Sequence, residues 1–320
     1  MKISFVIVAK NVKKFIGSCL ESVHETATDL APLGVESEII VVDNASCDQT
    51  AEAAKSACAE ISLIRNTGDK GFAAAANQAI QASTGDLVFF VAPQVALEAG
   101  SARRLLDYME TNTSCGIAGG RIVDQKGFGL RGARRLPGCV SKFASAFGIA
   151  CRCKGKASQP KEVPAVTFAF AVVRKALFCN IGKLDERFFG GFADMDLCRR
   201  ARKALNPVWK VAFVPQASAK VVDKFSMKDE PADFSLYGAG VVRARTRSEQ
   251  LYFWKHYCPF TVFFFAMVDI AAHAVRFGIN LLPKIGSADK RAYHCTVVRE
   301  TASAMLDTQL GSQFPTTPWQ

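Results

Sequence analysis

The chain has 320 residues, of which 49% are hydrophobic and 22% charged. This balance excludes a disordered chain and allows one large α/β domain with a smaller additional region. Lys and Arg outnumber Asp and Glu by 40 to 29, for a formal charge of +11, which favours anionic partners such as phosphorylated substrates or acidic lipid. No nucleic-acid-binding motif is recognisable in the sequence, so nucleic acid is the weakest of these candidates.

The cysteines and the amino terminus indicate a cellular compartment. Eleven cysteines are scattered along the chain without paired CxxC spacing, which predicts buried thiols in a reducing environment. Met1 leads almost directly into an apolar strand that is too short for the core of a signal peptide. We therefore expect the catalytic part of the protein to remain in the cytoplasm.

The first 95 residues alternate between strand and helix patterns. Runs rich in β-branched residues predict strands near 4–9, 38–43, 61–64 and 87–92, and apolar positions at helical spacing predict helices near 12–26, 48–59, 72–82 and 98–110. This alternation predicts a parallel, nucleotide-binding half. The second strand ends in a polar cluster at Asp43, Asn44 and Ser46, at the end where α/β sheets bind ligands.

The middle of the chain contains a basic, irregular segment. A strand-like run from Gly116 ends at a turn near Asp124, and residues 128–162 then carry many Lys and Arg residues. We interpret residues 128–162 as a solvated loop. The alternative is a lid that contacts a phosphate of an acceptor.

The last part of the chain combines basic and apolar residues. The uninterrupted apolar run 259–268 is shorter than the roughly 20 residues needed to span a bilayer. Asp269, His273 and Arg276 follow at helical spacing and share one face. This pattern favours an interfacial helix in peripheral contact with a membrane through 255–283; packing on the protein's own core or on a second subunit is the alternative.

Several short motifs occur in a fixed order along residues 3–260. They are Phe5-Val6-Ile7-Val8 with Asn11, Val41-Val42-Asp43-Asn44-Ala45-Ser46-Cys47-Asp48, Arg65-Asn66, Gly71-Phe72-Ala73 with Asn77, Gly85-Asp86, Leu184-Asp185-Glu186-Arg187-Phe188-Phe189, Asp194-Met195-Asp196-Leu197-Cys198-Arg199-Arg200 and Leu251-Tyr252-Phe253-Trp254-Lys255-His256-Tyr257. This order resembles the family 2 inverting glycosyltransferases, and specifically their rhamnosyltransferase-like branch.

The resemblance implies an α/β fold of the GT-A type, with a mainly parallel central sheet flanked by helices and a helical carboxyl-terminal appendage. The glycosyltransferase domain would span 1–240, with a nucleotide-binding half at 1–95 and an acceptor half at 96–240, and the helical region would span 241–320. It also implies transfer of a sugar, with inversion, from a nucleotide-sugar donor to a glycolipid or polysaccharide acceptor. Thymidine-diphosphate rhamnose is the commonest donor suggested for this branch.

The resemblance places the donor against the first two strands. It implies that Asp43 contacts the base or ribose beside Asn44 and Ser46; the alternative is that Asp43 and Ser46 only cap the next helix. Gly71 opens a helix whose amino terminus suits an anion. Asn77 would then touch the donor or brace the site, and Lys10 and Lys70 adjoin the donor.

Two departures concern the divalent metal, Mg²⁺ or Mn²⁺, that the family uses on the diphosphate. Gln94 stands where the family has an Asp, and the region 214–223 lacks the family's His. A neutral amide is a poorer ligand for a hard cation than a carboxylate, so the metal ligands stay unassigned, and Asp223 substitutes only if the register shifts by about two residues. The positive groups available for the diphosphate in place of the metal are Lys10, Lys70, Lys220 and Arg65.

The acidic motif supplies the candidate catalytic base. Asp194 matches the residue that deprotonates the acceptor in the family, although Ala193 replaces the preceding Glu. Asp196, Arg199 and Arg200 would shape the acceptor site or support Asp194, and a purely structural ion pair between Asp196 and either arginine is the alternative. These departures leave a second hypothesis open, that of an inactive relative serving as a scaffold or partner protein.

Overall fold

The computed structural model describes residues 1–130, 132–138, 144, 158–205, 207–222, 234–282 and 287–313. The described residues form two compact units. The sheet unit comprises those within 1–136, 153–185 and 193–225, and the helical unit comprises those within 137–152, 186–192 and 226–320.

The sheet unit contains eleven strands and six helices within the described residues. The strands are β1 (Lys2–Ala9), β2 (Glu36–Asp43), β3 (Ser62–Arg65), β4 (Leu87–Val91), β5 (Val95–Leu97), β6 (Cys115–Val123), β7 (Ala133–Arg134), β8 (Lys161–Glu162), β9 (Ala165–Val166), β10 (Phe170–Arg174) and β11 (Lys210–Val221). The helices are α1 (Lys13–Leu30), α2 (Thr50–Ala57), α3 (Gly71–Ala82), α4 (Ser101–Thr111), α5 (Lys175–Ile181) and α6 (Ala193–Lys203), and a short 3₁₀ turn (Ala31–Leu33) follows α1.

The main sheet is parallel in its first half and mixed beyond it. Its strand order is β3-β2-β1-β4-β10-β6-β11-β5, with β8 also paired to β11. The strands β3, β2, β1 and β4 pair in parallel, as the sequence predicts. Because β10 is antiparallel to both β4 and β6, and β11 is parallel to β6, β4, β6 and β11 run in the same direction. The carboxyl ends of β1, β2, β4 and β11 therefore lie at one edge of the sheet.

The core of the sheet unit follows from the apolar strands. Phe5 of β1 and Phe89 of β4 are fully buried, and their rings pack with centroids 5.2 Å apart. On α1, Ile16 and Leu20 are buried at helical spacing against the sheet. In β6, a β-carbon added to Gly120 would meet the ring of Phe170 at 2.4 Å, so the two strands approach more closely there than a side chain would permit.

The described ends of the basic segment are ordered strands, which corrects the prediction of a solvated loop for those residues. Ala133–Arg134 forms β7 and pairs with β9, and Lys161–Glu162 forms β8 on β11. Gly132 allows this arrangement, since a β-carbon there would lie 2.3 Å from the carbonyl oxygen of Gly120. Arg135 is exposed just after β7, and the remaining basic residues, Arg131, Lys142, Arg152, Lys154 and Lys156, lie outside the described residues.

The prediction of buried thiols holds for about half of the described cysteines. Cys19, Cys58, Cys115 and Cys198 are buried, whereas Cys47, Cys179, Cys258 and Cys295 are exposed, and all eight are free thiols. Burial raises the pKa of Cys19 and of Cys198 to about 12. These two thiols are therefore protonated and unreactive at neutral pH.

The helical unit contains the long helices α7 (Phe234–His256), α8 (Pro259–Ile279) and α9 (Ala288–Asp307). Phe253 of α7 packs with Val262 and Phe265 of α8 in a small buried cluster. The segment 186–192 belongs to the same unit, and the rings of Phe188 and Phe192 pack on the buried Tyr252 of α7.

Helix α8 is longer than the apolar run suggested. It has 21 residues, an 18-residue stretch of it has a mean hydropathy of 1.7, and in the described chain it meets the length and composition of a membrane span. The uninterrupted apolar run is only part of this helix, and Asp269 and His273 continue the helix beyond the run on a half-buried face. His273 contacts His294 of α9, with their Nδ1 atoms 3.0 Å apart. The opposite face carries exposed apolar side chains, namely Phe260, Phe263, Phe264, Met267, Val275 and Ile279.

Candidate functional site

The loops that follow β1 and β2 are joined by hydrogen bonds at the carboxyl edge of the sheet. The backbone N–H of Asn11 donates to Ser46 Oγ at 3.0 Å, and the N–H of Cys47 donates to Asn11 Oδ1 at 2.9 Å. Asn11 and Ala45 have φ angles of 51° and 61°, in the left-handed region that side chains disfavour. Such strain persists where the surrounding structure overdetermines it, most often at functional sites.

Asp48, rather than Asp43 or Ser46, accepts the N–H of the first residue of the helix that follows β2. Its two carboxylate oxygens accept the N–H groups of Thr50 at 3.1 Å and Lys13 at 3.0 Å. Burial raises the pKa of Asp48, but the hydrogen bonds from Thr50 and Lys13 outweigh it and hold the pKa below its ordinary value. The first N–H of this helix is thereby bound, which leaves Asp43 and Ser46 for other contacts.

Asp43 is the last residue of β2 and is 6% exposed, and hydrogen bonds orient its carboxylate. Its Oδ1 accepts the N–H of Ser46 at 3.3 Å, and its backbone oxygen accepts the N–H of Asn66 at 2.9 Å. In the described part of the chain, Oδ2 makes no hydrogen bond. An acceptor fixed in this way at a strand end suits the imide of a pyrimidine or a ribose hydroxyl.

Asp69 connects the loops of this edge, and sequence reasoning missed it. Its Oδ1 accepts Asn44 Nδ2 at 2.6 Å and the N–H of Gly71 at 2.9 Å, while its Oδ2 pairs with Lys10 Nζ. Asn44 is buried, and its Oδ1 accepts the N–H of Lys70 at 3.1 Å. The signal in the sequence is a carboxylate two residues ahead of a helix-opening glycine, the pattern of a residue that satisfies free N–H groups at a helix start.

The four candidate cations differ in what surrounds them. Lys10 is paired with Asp69, and Arg65 is paired with Glu52 at 2.6 Å. Lys70 has an exposed side chain, although its N–H is bound by Asn44. Lys220 lies near the end of β11, is exposed, and has no ion-pair partner in the described chain. The carboxylates of Asp69 and Glu52 balance the charges of Lys10 and Arg65, so these two cations are less available to a diphosphate.

Asn77 connects two parts of the sheet unit. It is 7% exposed on α3, its Nδ2 donates to the carbonyl oxygen of Leu184 at 2.8 Å, and its Oδ1 accepts the N–H of Leu184 at 3.1 Å. This bidentate contact joins α3 to the segment that follows α5. The predicted roles of Asn77, donor contact or bracing of the site, stay predictions.

The residues at the expected metal position do not fit a divalent cation. Gln94 is half-buried, and its backbone oxygen accepts the N–H of Val222 at 2.9 Å. Among the described residues, no group of three or more His, Cys, Asp or Glu side chains is placed to hold a metal ion. Asp223, the suggested substitute, lies outside those residues. The described residues therefore give a metal ion no role in the chemistry of this site.

Asp194 lies in the first turn of α6, where the helix dipole stabilises a negative charge. Its side chain is 14% exposed, and its Oδ1 accepts the N–H of Met195 at 2.8 Å. The guanidinium of Arg134, in β7, lies 3.7 Å from Asp194 Oδ2. Sequence reasoning assigned Arg134 only to a basic loop and did not predict this contact. Asp194 thus offers a partly exposed carboxylate, between a helix terminus and an arginine, to a hydroxyl.

Asp196 and Arg200 form a structural ion pair. Asp196 is fully buried, and Arg200 Nε donates to its Oδ2 at 2.8 Å. The same guanidinium donates to the carbonyl oxygens of Ile181 at 2.6 Å and Lys183 at 2.7 Å, which ties α6 to the segment after α5. Arg199 is half-buried on the same helix. The role predicted for these residues near the acceptor stays a prediction.

Comparisons with known proteins agree with this geometry. Residues 4–182 match the family model described as Glycosyl transferase family 2. The chain is 25% identical over 228 residues to N-acetylglucosaminyl-diphospho-decaprenol L-rhamnosyltransferase of Mycobacterium tuberculosis, covering 63% of this chain and 73% of that protein.

Solved structures show the same fold. The mannosyltransferase PcManGT from Pyrobaculum calidifontis, in complex with GDP-Man and Mn²⁺, has 15% identity and a TM-score of 0.54, over 96% of this chain and 86% of that one. S. aureus TarS 1-349 in complex with UDP-GlcNAc has 12% identity and a TM-score of 0.52, over 97% and 92%. The expected GT-A fold is confirmed.

Proposed function

Because the chain belongs to glycosyl transferase family 2, we propose that it transfers a sugar from a nucleotide-diphosphate donor to a lipid-linked or polysaccharide acceptor, with inversion. The observation that carries this proposal is the oriented, unshared oxygen of Asp43 at an edge held together by Asn44 and Asp69. The name of the mycobacterial relative indicates a diphospholipid acceptor, and those of the solved structures indicate nucleotide-sugar donors.

The donor binds at the carboxyl edge of β1 and β2. Asp43 accepts a hydrogen bond from the base or ribose through its unshared oxygen. Lys70 lies at the start of α3, where the helix terminus and its exposed ammonium both favour the diphosphate. Thymidine-diphosphate rhamnose is the first donor to test, in view of the rhamnosyltransferase relative.

Asp194 acts as general base on the acceptor. Its carboxylate takes the proton of the acceptor hydroxyl while that oxygen forms a bond to the anomeric carbon. The bond from the anomeric carbon to the diphosphate breaks, and its electron pair leaves with the diphosphate. The guanidinium of Arg134 lies 3.7 Å from this carboxylate and carries the opposite charge. Attack opposite the leaving group inverts the anomeric centre.

The exposed face of α8 meets a membrane that carries the acceptor. Phe260, Phe264, Met267 and Val275 follow one another at intervals of three, four or eight residues and are 45–75% exposed, so they form one apolar stripe. The half-buried Asp269 and His273 occupy the other side. An apolar stripe backed by a polar, packed face supports a helix that lies in the interface, on the cytoplasmic side of the membrane.

The test is a transfer assay with matched variants. Purified protein is incubated with thymidine-diphosphate rhamnose, UDP-GlcNAc or GDP-mannose and a polyprenyl-diphosphate-linked sugar, and the product's anomeric configuration is read by NMR. Asp194→Asn should slow transfer roughly 10²- to 10⁴-fold with donor affinity retained, whereas Asp29→Asn, at an exposed position of α1, should not. If none of the donors is bound or consumed, the proposed function is wrong.

A further inference from the structure

The end of β11 and the neighbouring strand β5 share one solvent-facing surface, which carries polar and apolar side chains. Lys220 pairs with Ala96 in the antiparallel register, and the N–H of Val222 donates to the carbonyl oxygen of Gln94. Val95, Leu97, Ala219 and Val221 are buried, whereas Gln94, Ala96, Lys220 and Val222 are exposed or half-buried. Because side chains alternate along a strand, the second group shares one face. Lys220 and Gln94 are therefore diagonal neighbours across the pair.

This face lies at the edge where the donor is expected. The carboxyl end of β11 is on the same side of the sheet as those of β2 and β4, as the strand directions require. Residues 92–94 lead from the end of β4 to β5, so Gln94 stands on the connection between the nucleotide-binding strands and β11. Glu98, which follows β5, accepts a hydrogen bond from the hydroxyl of Ser218.

We infer that Lys220 and the amide of Gln94 hold the donor's diphosphate in place of a divalent metal. This inference rests on the proposed function. A carboxylate at position 94 would repel a diphosphate unless a cation lay between them, whereas a neutral amide donates a hydrogen bond to a phosphate oxygen. Lys220 supplies a fixed positive charge, which stabilises the diphosphate as it departs with the bonding electrons.

The structure separates Lys220, together with Lys70 at the start of α3, from the other two candidate cations. Lys10 and Arg65 are matched by Asp69 and Glu52, so each brings little net charge to a ligand. Lys220 is exposed and has no ion-pair partner in the part of the chain that the structure describes. Gln94 is neutral where the resemblance implies an Asp, and Lys220 is its basic diagonal neighbour. Neither residue repels a diphosphate, so this edge needs no metal ion between protein and ligand.

The test is calorimetric titration of the full-length chain with thymidine diphosphate and uridine diphosphate, in EDTA and in Mg²⁺. We expect tight binding in EDTA and little change with Mg²⁺. Lys220→Ala should weaken diphosphate binding roughly ten- to hundredfold, and binding of the matching nucleoside should be unchanged. Lys210→Ala is the control, since Lys210 is an exposed lysine at the opposite end of the same strand.

A second variant tests the amide directly. Gln94→Asp should weaken diphosphate binding in EDTA and make it depend on Mg²⁺ or Mn²⁺. Binding by the wild type only when a metal is present would overturn the inference and leave the proposed function intact. Equal affinity of Lys220→Ala and Lys210→Ala for diphosphate would also overturn it. Absence of nucleotide binding under every condition would overturn the proposed function, and the inference with it.

Discussion

Replacing Asp69 tests whether its carboxylate organises the donor edge. Asp69→Ala removes the acceptor for Asn44 Nδ2 and for the N–H of Gly71. Asn44 is 3% exposed and Gly71 is buried, so neither donor gains full access to water. Asp69→Asn keeps an oxygen for both donors and removes only the ion pair with Lys10. The two variants therefore separate the hydrogen bonds from the charge.

The size of the effect follows from these contacts. A buried donor left without a partner costs about 1–3 kcal/mol, so two such donors predict a loss of roughly 2–6 kcal/mol in the free energy of unfolding for Asp69→Ala. The side chains of Lys10 and Asp69 are 46% and 27% exposed, and an ion pair of this kind contributes up to about 1 kcal/mol. Asp69→Asn should lose no more than that.

Urea-induced unfolding, followed by circular dichroism, measures both losses. Donor affinity, measured by calorimetry, should fall in Asp69→Ala, because Asn44 and the start of α3 lose their common anchor. Asp69→Asn should retain more of that affinity. Equal destabilisation by the two variants would show that charge, and not hydrogen-bond geometry, is what Asp69 provides, and would refute this reasoning.

Two further predictions concern the helical unit. Burial raises the pKa of Glu300, but Arg243 and Arg247 outweigh it and hold the pKa below its ordinary value. The stabilisation of the fold by ionised Glu300 should be complete above about pH 4.3, the pKa of Glu in the unfolded chain. It should be lost as pH falls through the lower pKa of the folded protein. Glu300→Gln should lower the free energy of unfolding by roughly 2–3 kcal/mol at pH 7. It should also weaken the dependence of that free energy on acid pH, measured by urea unfolding at several pH values. An unchanged pH dependence would contradict the role given to Glu300. Phe260→Ser combined with Phe264→Ser should reduce flotation with anionic vesicles roughly tenfold or more, whereas Leu205→Ser, at a 95% exposed residue of the sheet unit, should not; equal flotation of all three proteins would rule out this contact.

The sequence predicts the nucleotide-binding half well because its signals are local. Four β-branched or aliphatic residues ending at Asp43 predict a buried strand with a ligand-facing end, and β2 ends at that residue. The alternation of strand and helix also predicts the parallel pairing of these strands, although their order, β3-β2-β1-β4, is known only from the structure. Each of these inferences needs only the pattern within about ten neighbouring residues.

What the sequence does not predict depends on distant pairing. Asp69 acts through Asn44 and Lys10, which lie 25 and 59 residues away, and no local pattern links them. Arg134 reaches Asp194 because β7 pairs with β9, and a two-residue strand in a basic segment has no periodicity to detect. The contact between His273 and His294 is also missed for a related reason, since the two residues lie on different helices, 21 positions apart.

The course of the chain between the two units bears on modularity. The stretch 186–192 belongs to the helical unit, yet in the sequence it separates two parts of the sheet unit. Phe188 and Phe192 of that stretch pack on Tyr252, more than fifty positions later. A single junction therefore cannot exchange the carboxyl-terminal helices for those of another protein. A chimera or fusion that exchanges these helices must also exchange residues 186–192, just ahead of Asp194. A truncation that removes the helices leaves Phe188 and Phe192 without the ring of Tyr252.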